Sequence, residues 1–331
     1  MPDRQMVAIA TALSMFGSPP ATLPAGVTEA MEARGASSAL RPAPNQLAPW
    51  TTALRDRQPD DAFASVYRVG PHRLVFIGAQ HENQSKSRTF RLIEDAYAKI
   101  KFDTVIAEGF PTSWGANSAR IFAYVAQNGW RGDGFVEGGE TVPTVLGARR
   151  QGAVLIGGEA DDPDLERPIY AQGFSGQDLL GFYVLRAIPQ WIGERKISNA
   201  GDPRLVSLVQ ASLDYNRAML GLPASVLPRF SDWAAWYREK NGKPIDTTFD
   251  TEEVGPLADG RHGTNRIASA VSRARDAYLH NLIIAHLNRG ESVLVVFGGS
   301  HLMIHRPALD QVLGRPCYAG TDLKQAQEAC L

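Results

Sequence analysis

Four runs of consecutive apolar residues punctuate the chain: "RLVFIG" from Arg73, "DTVIAEG" from Asp103, "AVLIGGE" from Ala153 and "SVLVVFGGSH" from Ser292. Each is short, rich in Val and Ile and stops at glycine, the pattern of a strand buried on both faces. "SVYRV", separated from the first run by "GPH", predicts a hairpin leading into it. Between the runs the period changes. In "SRTFRLIEDAYAKI" the residues Phe90, Ile93, Ala96, Tyr97 and Ile100 recur at helical spacing, and "NRIASAVSRARDAYLHNLIIAHLNRG" predicts a long helix feeding the last major strand. Strands alternating with helices predict an α/β fold, a mostly parallel central sheet flanked by helices.

Between the third and fourth strands the pattern becomes helical alone. "SGQDLLGFYVLRAIPQWIGE", "DPRLVSLVQASLDYNRAML" and "PRFSDWAAWYREKNG" carry caps, breakers and helical spacing. Residues 165–265 are therefore expected to form a helical insertion or lid within a single α/β domain spanning 63–331. Trp191, Trp233 and Trp236 could line a groove there, although aromatics at helical spacing more often fill the core.

Ahead of the domain, residues 26–62 read as an Ala/Pro-rich extension, with a short helix over Val27–Ala33. "MVAIATALSMF", following Arg4 and preceding the breaker run "GSPPATLPAG", resembles a signal-peptide core too short to span a bilayer. On that reading residues 1–25 direct export, to the periplasm or beyond, and a buried helix in a cytoplasmic protein is the alternative. The two cysteines, Cys317 and Cys330, point the same way. A bridge between them would suit an oxidising compartment and tie down the tail by roughly 3 kcal/mol, and two unrelated thiols are the other reading.

Charge narrows the partners. With 34 Lys and Arg against 35 Asp and Glu, the chain offers no general field for phosphates or anionic lipid, so nucleic acid is not an expected partner. No other apolar run is long enough for a stable membrane span, leaving a peptide or small-molecule substrate as the expectation.

The four apolar strands end near His81, Glu108, Glu159 and His301. Ligands of open α/β sheets bind at the carboxyl ends of the strands, so these side chains are expected to share one cleft. Two imidazoles and two carboxylates suit a divalent metal ion, with Mn, Co, Zn and Fe not distinguished, and could equally perform metal-free acid and base work. Arg275 and Asp276 adjoin on the long helix, and Asp276 shares a face with His280. His262, His286 and His305 read as structural or solvent-facing, because His301 and His305 lack the glutamate of an H-E-x-x-H motif.

These residues carry a resemblance. "SVYRVGPHRLVFIGAQH", with Gly78 and His81 as a G-x-x-H, looks like the opening of the Tiki/TraB/GumN proteins, relatives of the erythromycin esterases and of the haem-binding ChaN proteins. "VIAEG" resembles that family's strand-end glutamate. "RDAYLHNLIIAHLNRGESVLVVFGGSHL" resembles its closing block, with a second G-x-x-H at Gly298 and His301. The resemblance covers about residues 65–303 and implies an α/β fold with the histidines and glutamates in one pocket and, for the Tiki branch, metal-dependent peptidase activity. Here Gly78-Ala79-Gln80-His81 replaces the commoner Gly-Thr/Ser-x-His, and 165–265 has no counterpart.

The function expected is a metal-assisted hydrolase of peptide, amide or ester bonds. His81 and His301 with Glu108, Glu159 or both would hold the ion, and the glutamate left off the metal would take a proton from water. Arg275 would face a developing oxyanion or a substrate carboxylate, and Asp276 would orient a histidine or Arg275. Two alternatives remain open: a metal-independent esterase with a histidine base, and a haem- or peptide-binding protein without turnover.

Overall fold

The computed structural model describes residues 39–331 apart from 128, 130–132 and 194. The segment 1–25, expected to be a signal peptide, and the helix expected over Val27–Ala33 lie outside the described residues. Six strands form one mixed, mostly parallel sheet: Phe63–Val69 (β1), His72–Ala79 (β2), Thr104–Pro111 (β3), Val154–Glu159 (β4), Val293–Gly298 (β5) and Tyr318–Gly320 (β6), in the order β4-β3-β5-β2-β1-β6. The four apolar runs are β2 to β5, and they are contiguous and parallel. β1 and β6 add antiparallel pairings at one side, and β1 with β2 is the hairpin the "GPH" turn predicts.

Alternation along each strand divides the core into two layers. Val75, Ile77, Val105, Leu155, Leu294 and Val296 face one side, and Leu74, Phe76, Ile106, Ile156, Val295 and Phe297 the other. Because both faces are covered, the runs read as continuously apolar rather than alternating. Eleven helices of the described residues surround the sheet: Thr52–Arg55 (α1), Arg88–Lys99 (α2), Ala119–Gln127 (α3), Thr141–Gln151 (α4), Asp162–Ala171 (α5), Gly176–Leu185 (α6), Ile188–Gly193 (α7), Leu205–Met219 (α8), Phe230–Asn241 (α9), Gly263–Asn288 (α10) and Gly299–Leu313 (α11). Phe90 and Ile93 of α2 and Val142 and Val145 of α4 pack on the first face. Leu279 and Ile283 of α10 and Leu302 and Leu309 of α11 pack on the second.

The section between β4 and β5 has its own apolar cluster. Leu179 and Leu180 of α6, Val209 and Leu213 of α8, and Trp233, Trp236 and Tyr237 of α9 close on Ile267 and Val271 of α10. Trp191 also lies in this cluster, so all three tryptophans fill core. α10 passes from this cluster to the sheet, so one 26-residue helix carries side chains from the helical section to the strand ends. The tail is closed by a Cys317–Cys330 disulfide, Cα–Cα 5.6 Å, with β6 paired to β1. Among the described residues no helix is long and apolar enough to cross a membrane.

Candidate active site

Chain reversal places a cleft where the parallel strands end. From β2 the chain crosses to β3 and on to β4, then returns through the helical section to insert β5 between β2 and β3. Connections leaving adjacent strands for opposite faces open a crevice at their carboxyl ends. A cavity of about 250 Å³ lies there, between the strand ends, α6, α7, α10 and the N-terminal arm.

His81 stands two residues past β2. Just before it, the backbone N–H of Gln80 donates to Thr89 Oγ1 at 3.1 Å while the Thr89 hydroxyl donates to Gln80 O at 2.9 Å, fixing the exit of the strand. His81 Nδ1 meets Glu140 Oε1 at 2.6 Å. Glu140 precedes α4 and is brought over because its loop is stapled to the loop after His81, with Val136 N–H donating to Asn83 O at 2.7 Å and Asn83 Nδ2 to Val136 O at 2.8 Å. Burial disfavours an imidazolium here, but Glu140 and then Glu108 outweigh it and push His81 up to about 9.

Glu108 lies within β3, where the ladder to β4 shifts register between Ala107 and Pro111. Such an irregularity re-aims side chains, and Gly109 at φ +86° makes it feasible. Glu108 Oε2 accepts the Gly298 N–H at 2.6 Å. Its other oxygen, Oε1, is buried without a hydrogen-bond partner, 3.5 Å from Arg275 Nη2 and 3.6 Å from His301 Nε2. At Gly298 a Cβ would come within 2.9 Å of His81 Nε2, so a larger residue at the end of β5 would displace the imidazole, while Glu108 Oε2 at 3.6 Å would be in ordinary contact.

His301 is in the first turn of α11 rather than on a strand. Its Nδ1 meets Asp276 Oδ1 at 2.6 Å, and His305, one turn further on, places Nε2 3.2 Å from the same oxygen. Asp276 is 1% exposed, not part of a surface pair, and its contacts here are with α11 and with Ser272, not with His280. Burial works against its charge, yet His301 and His305 hold the carboxyl well below the usual range, and Asp276 in turn raises His301 against burial. Consecutive helix residues point about 100° apart, so Arg275 faces the strand ends instead. Its Nε and Nη2 donate to Glu159 at 2.8 and 2.6 Å, a bidentate pair. Despite burial, Glu159 is shifted down and Arg275 up by that pairing.

His81, Glu108, Arg275 and His301 thus converge, and Glu159 joins them through Arg275. Both Glu159 oxygens are engaged by the guanidinium. Sequence reasoning did not single out Glu140, whose polar loop carries no periodic signal, and set aside His305, whose i, i+4 spacing from His301 was the available sign. It also missed Trp50, which lines the cavity from the N-terminal arm.

The donor chemistry suits a divalent ion. Two imidazoles have Nδ1 tied to a carboxylate, so an ion could bind at Nε2 in place of its proton, and Glu108 has an unpartnered oxygen 3.6 Å from that nitrogen of His301. Arg275 faces Glu108 and Glu159, while Glu140 and Asp276 pair with the two imidazoles, which their carboxylates favour in the protonated form and which a bound cation would have to deprotonate. Among the described residues, however, no three His, Cys, Asp or Glu side chains stand at ligating spacing. Compared with models of protein families, with curated proteins and with solved structures, the chain matches none.

Proposed function

We propose that the chain is a hydrolase of peptide, amide or ester bonds of the Tiki/TraB type, working at this cavity. One observation carries the reading: Nε2 of His301, whose ring is backed by Asp276, lies 3.6 Å from a buried Glu108 oxygen that has no hydrogen-bond partner, and the Glu140-backed ring of His81 stands beside Gly298 at the same strand ends. His81, His301 and Glu108 would hold a divalent ion, whose chemistry when bound is to acidify water and polarise a carbonyl. Glu140 and Asp276 keep each Nδ1 protonated, so that an ion would bind at Nε2 in place of its proton. Where Glu108 stays off the ion, its unpartnered Oε1 accepts a proton from water as the water oxygen adds to the carbonyl carbon, and returns that proton to the departing amine or alcohol. With Nε and Nη2 of Arg275 held by Glu159, Nη1 is left for the oxyanion, beside the N–H groups of the first turn of α11.

The Asp276–His301 pair supports a second reading, in which His301, oriented by Asp276, is the base without metal. Elemental analysis of protein purified without added metal, together with turnover of amide and ester substrates before and after chelation, separates the two. Stoichiometric metal lost in both His81→Ala and His301→Ala supports the first. Full activity in metal-free protein supports the second, and wild-type turnover in both variants refutes both.

A further inference from the structure

Two buried histidines beside the site take no part in the chemistry above. His280 on α10 and His305 on α11 are each 0% exposed, with ring centroids 5.8 Å apart. The Nδ1 of each is buried without a hydrogen-bond partner. Their other nitrogens determine what each Nδ1 carries. His280 Nε2 accepts the backbone N–H of Ala43 at 3.1 Å, so it is bare and the proton of a neutral ring sits on Nδ1. His305 Nε2 faces Asp276 Oδ1 at 3.2 Å. An ionised carboxylate only accepts, so Nε2 carries the proton and Nδ1 is bare. A donor and an acceptor, each lacking a partner, therefore occupy neighbouring rings. Burial, and then His305, pushes His280 down to about 4, and burial outweighs Asp276 to lower His305, which keeps both rings neutral near pH 7.

We propose that His280 and His305 are positioning residues, neutral rings in opposite tautomers joined from Nδ1–H of one to Nδ1 of the other through one buried water. They complete a hydrogen-bonded chain from Ala43 through His280, His305 and Asp276 to His301. The inference rests on the reading of His301 as the group that works in the cavity. Asp276 Oδ1 receives N–H groups from both His301 and His305, and Oδ2 receives the Ser272 hydroxyl at 3.2 Å. Fixing all three donors stops the carboxylate from rotating, and that fixes the direction in which His301 presents Nε2. The far end of the chain is the N-terminal arm. Ala43 supplies its N–H to His280, and Ala48 N–H donates to Ile304 O at 3.0 Å on α11. The seating of the arm is thus hydrogen-bonded to the histidine of the site.

Long-range proton–nitrogen correlation spectra of the full chain labelled with ¹⁵N-histidine test this. The expected result is His280 as the Nδ1–H tautomer and His305 as the Nε2–H tautomer, both neutral at about pH 7 and above. His305→Gln, whose amide N–H can stand where Nε2–H stood, should preserve the His301 Nδ1–H resonance. His305→Leu should shift or lose that resonance while that of His81, held by Glu140, stays. The same tautomer in both rings overturns the proposal without any variant. So does a folded His305→Leu protein in which His301 is unmoved. The spectra need neither substrate nor metal, so failure of the hydrolase reading would appear separately, in the turnover and elemental measurements.

Discussion

Replacing Glu108 by Gln separates a catalytic carboxylate from one that only holds the fold. The substitution keeps an amide oxygen able to accept the Gly298 N–H now bound by Oε2 at 2.6 Å. It removes the charge that faces Arg275 Nη2 at 3.5 Å and His301 Nε2 at 3.6 Å. At an effective dielectric of 20, one unit attraction at that distance is about 5 kcal/mol, and relieving the desolvation of a buried carboxylate returns several kcal/mol. The two nearly cancel, so folding stability is expected to stay close to wild type, whereas a carboxylate that only satisfied the backbone amide would cost about 1–3 kcal/mol when replaced. Turnover has no such compensation. A carboxamide neither accepts a proton from water nor ligates a cation as a carboxylate does, and a loss of roughly 10²-fold or more follows. Thermal melting and single-substrate kinetics on one preparation report both quantities. A Glu108→Gln protein that melts early yet turns over at the wild-type rate per folded molecule would refute the assignment and leave His81 and His301 without their carboxylate.

Three further outcomes follow from the geometry. Arg275→Lys keeps the charge but loses the fork that grips both oxygens of Glu159, so turnover should fall at least tenfold in a folded protein; unchanged kcat and KM would confine Arg275 to neutralising charge. Changing Cys317 and Cys330 together to Ser should lower stability by roughly 3 kcal/mol in urea unfolding, and the wild type under reducing conditions should match it. At the amino ends of the strands, burial works against the charge of Glu291, but Thr104, His286 and Arg289 outweigh it and push the carboxyl down to about 2. Its folded value lies below the unfolded value of about 4.3, so its stabilisation is present above that pH and disappears as pH falls toward 2. Urea midpoints measured across this window should decline less steeply in Glu291→Gln than in the wild type.

What could be read from the sequence and what could not have a common physical origin. β2 to β5 were legible because strands covered on both faces are apolar without interruption, and α2 and α10 because their spacing is helical over three turns or more. The convergence of His81, Glu108 and His301 followed from a topological rule about strand ends rather than from any motif. Glu140 was invisible for the opposite reason. It is delivered by loop-to-loop hydrogen bonds between Asn83 and Val136, 53 positions apart, and nothing periodic marks such a contact. Asp276 was read beside His280 because local spacing sees only its own helix, whereas packing of α10 on α11 turns it to His301 and His305. The arm's contribution, Trp50 in the cavity wall and Ala43 on His280, was equally non-local.

The position of β5 has a consequence for how the chain comes into being. It lies between β2 and β3 in space but follows them only after the whole helical section. During synthesis at about 5–20 residues per second, on the order of ten seconds or more separates β3 from β5. Until β5 emerges, β2 and β3 each present an unpaired apolar edge with nothing between them, and such edges recruit strands from other chains. A nascent chain halted before Val293 would therefore be prone to aggregate and to require chaperones, whereas one extended through α11 gains its central strand and His301 together. Closure of the sheet and completion of the site are then a single late event, and a ribosome-stalling series across residues 285–315 would show solubility and protease resistance rising at the same chain length.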